Sequence, residues 1–143
     1  MEANRRIRVW KWLVLGLVAC TAGMLAGCDD ADTETDITPT KFSIDSEMVS
    51  YSDVDNYTWN TTLVQPLATI RVRDFTHGDA TLRVFDARGE VVLDRFLFTP
   101  NNTYYVGGND LVVSELTDRG TPGTWRVELR YDQFTGDIQV TMQ

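Results

Sequence analysis

The end of the chain alternates between apolar and polar side chains, and this pattern restricts the fold more than any other feature. Apolar residues occupy every second position from Trp125 to Tyr131 and again from Ile138 to Met142. Successive side chains of a β-strand point to opposite faces, so each run predicts a strand with one buried and one wet face. Strands of this kind pair antiparallel. Between the two runs, Phe134–Asp137 is predicted to turn the chain.

Shorter runs of the same type recur between residues 41 and 116, separated by Gly, Pro, Asn and Asp. Turns are predicted at His77–Asp79 and at Asp86–Gly89, where Asp comes first and Gly last. No stretch of this part shows a sustained helical period. The pattern predicts an all-β fold: a single antiparallel two-sheet β-sandwich, jelly-roll-like, with eight or nine short strands. Besides the two runs above, strands are predicted at Lys41–Met48, Tyr57–Val64, Thr69–Asp74, Thr81–Asp86, Glu90–Phe98, Thr103–Val106 and Leu111–Leu116.

Two segments of the last predicted hairpin also carry a family resemblance. Gly123–Leu129 and Thr135–Thr141 resemble the closing hairpin of secreted bacterial β-sandwich modules of the pre-peptidase C-terminal type. The resemblance implies a jelly-roll-like sandwich with an accessory or binding role. It implies no catalytic residue.

Residues 1–27 have the pattern of a secretory signal peptide. Four basic residues within the first eleven positions precede a run without charge from Trp12 to Gly27. This run is shorter than the roughly 20 apolar residues that a membrane-spanning helix needs, and three glycines dilute it. A short transmembrane anchor kept in the mature chain is the alternative interpretation.

The segment ends in Leu25-Ala26-Gly27-Cys28, which resembles the lipobox of bacterial lipoproteins. The resemblance implies a lipid on the Cys28 sulfur, cleavage just before Cys28, and a location at the cell membrane facing the periplasm or the exterior. Leu17–Cys20 fits the same loose pattern. Cys28 is preferred because cleavage there removes the whole apolar run. In enterobacterial lipoproteins an Asp after the lipid-bearing Cys resembles an inner-membrane retention signal, and Asp29 matches it.

Composition separates an acidic segment from the folded domain. Residues 29–40 hold five acids, one strongly apolar residue and one Pro, which is too little apolar surface to order a segment by burial. We therefore predict a lipid-anchored, disordered acidic tether over 28–40 and a β-sandwich domain over 41–143. Twelve extended residues reach about 40 Å, enough to lift the domain clear of lipid headgroups.

The charge of the chain limits its partners. The net charge is −8, and after residue 27 there are nine Lys and Arg against twenty Asp and Glu. Nucleic acids and anionic lipid surfaces attract clusters of Lys and Arg, so neither is an expected direct partner. The expected partners are the membrane, through the anchor at Cys28, and a protein or glycan of the cell envelope.

Four aromatic residues lie at or near predicted loops: Tyr57, Trp59, Tyr104 and Tyr105. Aromatic side chains in such positions can stack on sugar rings or hold a protein partner. They can equally be core residues with a polar tip at the edge, and we favour this interpretation for Trp59. These four residues are the candidate ligand-binding residues.

The inventory of reactive side chains argues against catalysis and against a cofactor. His77 is the only histidine, which excludes a zinc site with several histidines, and no Gly-x-Ser-x-Gly elbow frames a serine. Ser52–Asn56 clusters oxygen ligands but lacks the spacing of a calcium loop, so no metal site is predicted; calcium binding there stays an alternative. The outward arginines are expected to pair with acids across strands, and an Arg face that binds phosphate or glycan is the alternative.

These observations lead to one hypothesis and a second one of a different class. The first is a non-enzymatic cell-envelope lipoprotein that displays a small β-sandwich as an interaction module. The second is a carbohydrate-binding module anchored to the surface.

Overall fold

The computed structural model describes residues 30–97 and 111–143, and these form an all-β domain of antiparallel strands. The described residues contain no helix, and therefore none that could cross a membrane. The strands are β1 (Asp30–Thr38), β2 (Lys41–Tyr51), β3 (Val54–Thr61), β4 (Leu67–Phe85), β5 (Val91–Phe96), β6 (Leu111–Leu116) and β7 (Gly123–Met142).

Two long strands, β4 and β7, form the centre of the fold and bend sharply in the middle. They pair along their whole length, with shifts of register around His77. Close to these register shifts, β2, β4 and β7 each contain one non-glycine residue with φ close to +50°: Ser50, Asp74 and Gln133. An irregular residue of this kind bends a strand and increases its twist. The three strands therefore bend together, and we call this part of the molecule the bend end.

The bend divides the strands into two layers that pack face to face. In one layer the order is β1-β2-β7-β4-β6, using the second half of β7 and the first half of β4. In the other it is β3-β7-β4-β5, using the remaining halves. The rings of Phe42 in β2 and Trp59 in β3 lie 6.0 Å apart between the layers. This arrangement is a jelly-roll-like sandwich.

The core lies between the layers and follows the alternation of the sequence. Odd-numbered residues of β7 are buried up to Tyr131, and even-numbered residues are buried from Phe134 onward. Gln133, with its positive φ, causes this change of parity because one extra residue shifts the pleat. Trp59 and Trp125 are fully buried and pack edge to face at 5.8 Å.

The opposite end of the sandwich, which we call the open end, is closed by turns. Asp86 is buried there and its carboxylate accepts three backbone hydrogen bonds. Arg88 and Glu90 donate to Oδ1, and Thr121 donates to Oδ2, at 2.8 to 2.9 Å. The Gly89 amide also donates to the Asp86 carbonyl at 2.9 Å, so the turn predicted at Asp86–Gly89 is confirmed.

The structure confirms the predicted antiparallel sandwich and corrects two of its turns. Residues 77–79 and 134–137 do not reverse the chain but lie inside β4 and β7. Glycine and aspartate suit the positive φ of a bulge as well as that of a turn. If β4 and β7 are each counted once per layer, the described residues hold nine strand segments, and one of these, β1, was predicted as tether. The strand predicted at Thr103–Val106 lies outside the described residues.

The predicted tether is wrong for residues 30–38, which form β1 along the edge of β2. Their side chains are exposed from residue 31 onward, so burial is not what orders them. Backbone pairing with β2 does so, supported by a hydrogen bond between the hydroxyls of Thr33 and Ser46 at 2.9 Å. The composition correctly indicated an extended, unburied segment, but it could not indicate the neighbouring strand.

Candidate functional site

The structure places the predicted site residues in different surroundings. Trp59 is fully buried, and its Nε1 donates to the Thr38 carbonyl at 2.7 Å, so its selection as a ligand-binding residue is wrong and its core interpretation is right. Tyr57 is half-buried and packs edge to face on Phe42 at 5.9 Å. Tyr104, Tyr105 and the lipid-attachment residue Cys28 lie outside the described residues.

Tyr57 belongs to a group of polar side chains that enter the space between the layers near the bend end. The group, which we call the tyrosine–aspartate cluster, consists of Tyr51, Asp55, Tyr57 and Tyr131. The Tyr51 hydroxyl donates to Asp55 Oδ1 at 3.2 Å, and the rings of Tyr51 and Tyr131 are 5.4 Å apart. Tyr131 is tied to the same loop because its amide donates to the Asp53 carbonyl at 2.9 Å.

Burial raises the pKa of every member of this cluster. It raises the pKa of Tyr51 to about 12, with Asp55 adding to the shift. It also raises the pKa of Tyr57 and of Tyr131. The pKa of Asp55 is raised by burial as well, although the hydrogen bond from Tyr51 opposes this. Tyrosine has an ordinary pKa near 10, so these side chains are hydroxyl donors at neutral pH, and the raised values make them poorer proton donors still.

One hydroxyl of the cluster has no hydrogen-bond partner within the described part of the chain. Tyr131 is 3% exposed, and its hydroxyl oxygen is buried without a partner there. Leaving a buried hydroxyl unsatisfied costs about 1–3 kcal/mol. The oxygen is thus available to a water molecule or to a small polar ligand.

Several oxygen atoms of Ser52–Asn56, the loop considered for calcium, accept hydrogen bonds within the protein. Asp53 Oδ1 accepts from the Val54 amide at 2.7 Å, and the Ser52 hydroxyl accepts from the Gln133 amide at 2.7 Å. Asp55 accepts from Tyr51, as described above. Across residues 30–97 and 111–143, no group of three or more His, Cys, Asp or Glu side chains is placed to hold a metal ion.

His77 lies in the bent part of β4 and is exposed. Its Nδ1 is 3.1 Å from the Thr76 hydroxyl, and its Nε2 is 3.4 Å from the Thr135 hydroxyl. The ring thus joins β4 to β7 at the point where their register shifts. These contacts give His77 a structural role in the bent part of the two strands.

Three of the outward arginines, Arg73, Arg83 and Arg126, lie beside acids. Arg73 of β4 is 3.8 Å from Asp137 of the neighbouring strand β7 and 3.6 Å from Asp45 of β2, which lies on the other side of β7. Arg83 pairs across strands with Asp94 at 3.1 Å. Arg126 pairs within its own strand, with Glu128 at 2.9 Å, and its guanidinium lies 3.9 Å above the Phe85 ring.

A second candidate surface, which the sequence analysis did not identify, lies along β6. We call it the β6 edge surface, and it comprises Leu67, Arg71, Val112 and Leu116. In register, Leu67 faces Leu116 and Arg71 faces Val112 across the β4–β6 pair. The exposed fractions are 61% for Leu116, 53% for Val112 and 39% for Leu67. The alternation within β6 indicates this face, but a sequence cannot show that the strand pairs with β4 alone among the described residues.

The inward side of β6 carries a charge that links the two layers. Glu115 faces Ala68 on the inner side of β4, and both of its carboxylate oxygens accept from the Arg95 guanidinium of β5. The ion pair closes this side of the sandwich, while Val112 and Leu116 on the outer face of β6 remain exposed.

Comparison with known proteins gives little to add. No family model matches the chain, and no curated protein matches it. Among solved structures it is similar to part of a chain of infectious bursal disease virus, Gx strain, at 12% identity and a TM-score of 0.35. A chain of the Gt strain is similar at 15% identity and a TM-score of 0.31.

These two matches cover 88% and 79% of this chain but only 35% and 29% of the viral chains. The chain thus spans about a third of the length of the proteins it resembles. At TM-scores below 0.5 the likeness carries no argument about function.

Proposed function

We propose that the protein is a non-enzymatic lipoprotein of the cell envelope, anchored through Cys28, whose β-sandwich is an interaction module for another envelope protein. The signal-like segment ending at Cys28 supports the anchor. The residue inventory supports a non-enzymatic role, because the single histidine lies between the hydroxyls of Thr76 and Thr135 rather than beside a nucleophile–acid pair.

The β6 edge surface is the observation that carries the interaction role. Edge strands of monomeric proteins are usually protected by charge, and β1 follows this rule with four acids in nine residues. β6 presents Val112 and Leu116 outward, and among the described residues it pairs with β4 alone. Such an edge can accept an extended segment of a partner as an added strand. An acidic residue of that segment would match the exposed Arg71.

Site-specific cross-linking in intact cells tests this role. A photoreactive amino acid is placed at position 116 on β6 and, as a control, at position 37 on β1, where Ile37 is also exposed. We expect a discrete cross-linked protein from position 116 that is absent from position 37. That product should disappear when Val112→Lys is added. Equal products from both positions, or none from position 116, would contradict the proposal.

The tyrosine–aspartate cluster favours carbohydrate binding as the second candidate function. A carboxylate surrounded by tyrosine hydroxyls offers both acceptors and donors to a sugar. Tyr57→Phe keeps the ring contact with Phe42 and removes only the hydroxyl. Retention on insoluble polysaccharide that this substitution abolishes would support carbohydrate binding. Absence of retention by the unmodified protein would leave protein contact as the function.

A further inference from the structure

The position of β1 sets the distance between the predicted anchor and the folded domain. Ordered pairing begins at Asp30, which faces Val49 of β2. Only Asp29 separates Asp30 from Cys28. Two steps of 3.8 Å between successive Cα atoms allow at most about 8 Å. A lipid on Cys28 therefore cannot hold the domain away from the membrane, contrary to the tether predicted from composition.

The same register shows which part of the domain is nearest to the anchor. Val49 directly precedes Ser50, the positive-φ residue of β2, so β1 begins at the bend end. From Thr76, β4 continues for nine further residues to Phe85, or about 30 Å at 3.3 Å per residue. The turn at Asp86–Gly89 therefore lies far from the anchor, at the open end.

The charge of the side face beside β1 opposes lateral collapse onto an anionic surface. This outward face is acidic, because Asp32 faces Glu47 and Glu34 faces Asp45. A domain lying flat on this face would bring these carboxylates against anionic headgroups, and like charges repel.

We infer that the bend end of the lipidated protein contacts the membrane and that the open end of the sandwich is directed away from the bilayer. This inference rests on the proposed function, since it needs the lipid on Cys28. The short link holds the bend end at the surface, and the acidic side face keeps the domain upright. The membrane contact is thus set by the anchor rather than by attraction between the domain and the lipid.

Quenching by lipid-bound spin labels tests the orientation in the full chain, purified with its lipid and placed in nanodiscs. A fluorophore is attached to a single new cysteine, either Thr76→Cys at the bend end or Arg88→Cys at the open end. The lipidated Cys28 has no free thiol to compete for the label. We expect severalfold stronger quenching at position 76 than at position 88, in both neutral and anionic lipid. Equal quenching, or stronger quenching at position 88, would overturn the inference.

A spacer variant provides the matched control. Sixteen Gly and Ser residues inserted before Asp30 give a flexible link with a root-mean-square length of about 22 Å. Quenching at position 76 should then fall severalfold. If it does not, the domain itself binds lipid and the inference is wrong.

The mass of the purified chain separates failure of the inference from failure of the proposed function. A lipid on Cys28 combined with stronger quenching at position 88 contradicts the orientation alone. A chain that carries no lipid contradicts both.

Discussion

Asp86 at the open end and Asp55 at the bend end are the same residue type in opposite surroundings. The Asp86 carboxylate accepts three backbone hydrogen bonds, and these lower its pKa. Asp55 accepts one hydrogen bond from Tyr51, and burial raises its pKa. The open end uses its carboxylate to hold turns together through backbone amides, whereas the carboxylate at the bend end accepts a tyrosine hydroxyl and lies among other tyrosines. Binding sites are found in surroundings of the second kind.

Two glycines with positive φ give the largest expected contrast between the ends. A Cβ on Gly78, at φ +93°, would overlap the Gln133 carbonyl of β7, while a Cβ on Gly89, at φ +83°, would meet nothing within 4 Å. We expect Gly78→Ala to destabilise the domain by more than about 3 kcal/mol, from overpacking and backbone strain together. Gly89→Ala should cost only about 1 kcal/mol. Chemical denaturation measures the free energy of unfolding of both variants. Equal losses would show that β4 and β7 can move apart at the bend to admit the methyl group at position 78.

Removal of an aspartate side chain should give the next largest contrast. Asp86→Ala leaves the amides of Arg88, Glu90 and Thr121 without their acceptor, whereas Asp53→Ala frees only the amide of Val54. The midpoint of thermal unfolding should therefore fall clearly for Asp86→Ala and little for Asp53→Ala. The reverse order would mean that the open end is not organised by its carboxylate.

Two tyrosine substitutions at the bend end test the unsatisfied hydroxyl. Tyr131→Phe removes an oxygen without a partner in the described part of the chain and should stabilise the domain by about 1 kcal/mol. Tyr51→Phe removes the hydrogen bond to Asp55 and should destabilise it by about 1 kcal/mol. Urea denaturation of both variants gives the sign of each change in the free energy of unfolding. A destabilised Tyr131→Phe variant would show that the hydroxyl has a water or ligand partner in solution.

The smallest expected effect is a difference in pH dependence. A carboxyl with a lowered folded pKa stabilises the fold above its unfolded pKa of about 3.9, and this contribution is lost as the pH falls through the folded value. Asp86→Asn should therefore flatten the loss of stability in acid. Asp55 has a raised pKa, so it opposes folding when ionised, and Asp55→Asn should gain stability near pH 7 but not near pH 3. If stability depended on pH in the same way in the two variants, the opposite pKa shifts of Asp86 and Asp55 would be contradicted.

The sequence by itself determined which side chains face the core. Alternation correctly placed Trp125, Val127 and Leu129 on the buried face of β7, because the two-residue period of a strand holds wherever one face is covered. The bounds of β6 and the turn at Asp86–Gly89 also followed from local signals. These features depend only on residues that are close together in the chain.

The tertiary structure alone decided where the chain turns back and which strands lie at an edge. Gly78 and Gly136 carry the same signal as turn residues, yet β4 and β7 continue past them because each is paired on both sides. β1 was not foreseen, since pairing through backbone atoms needs no particular side chains. The tyrosine–aspartate cluster joins Tyr51 and Tyr131, which are distant in sequence. Such contacts arise from the packing of two layers, which no local pattern encodes.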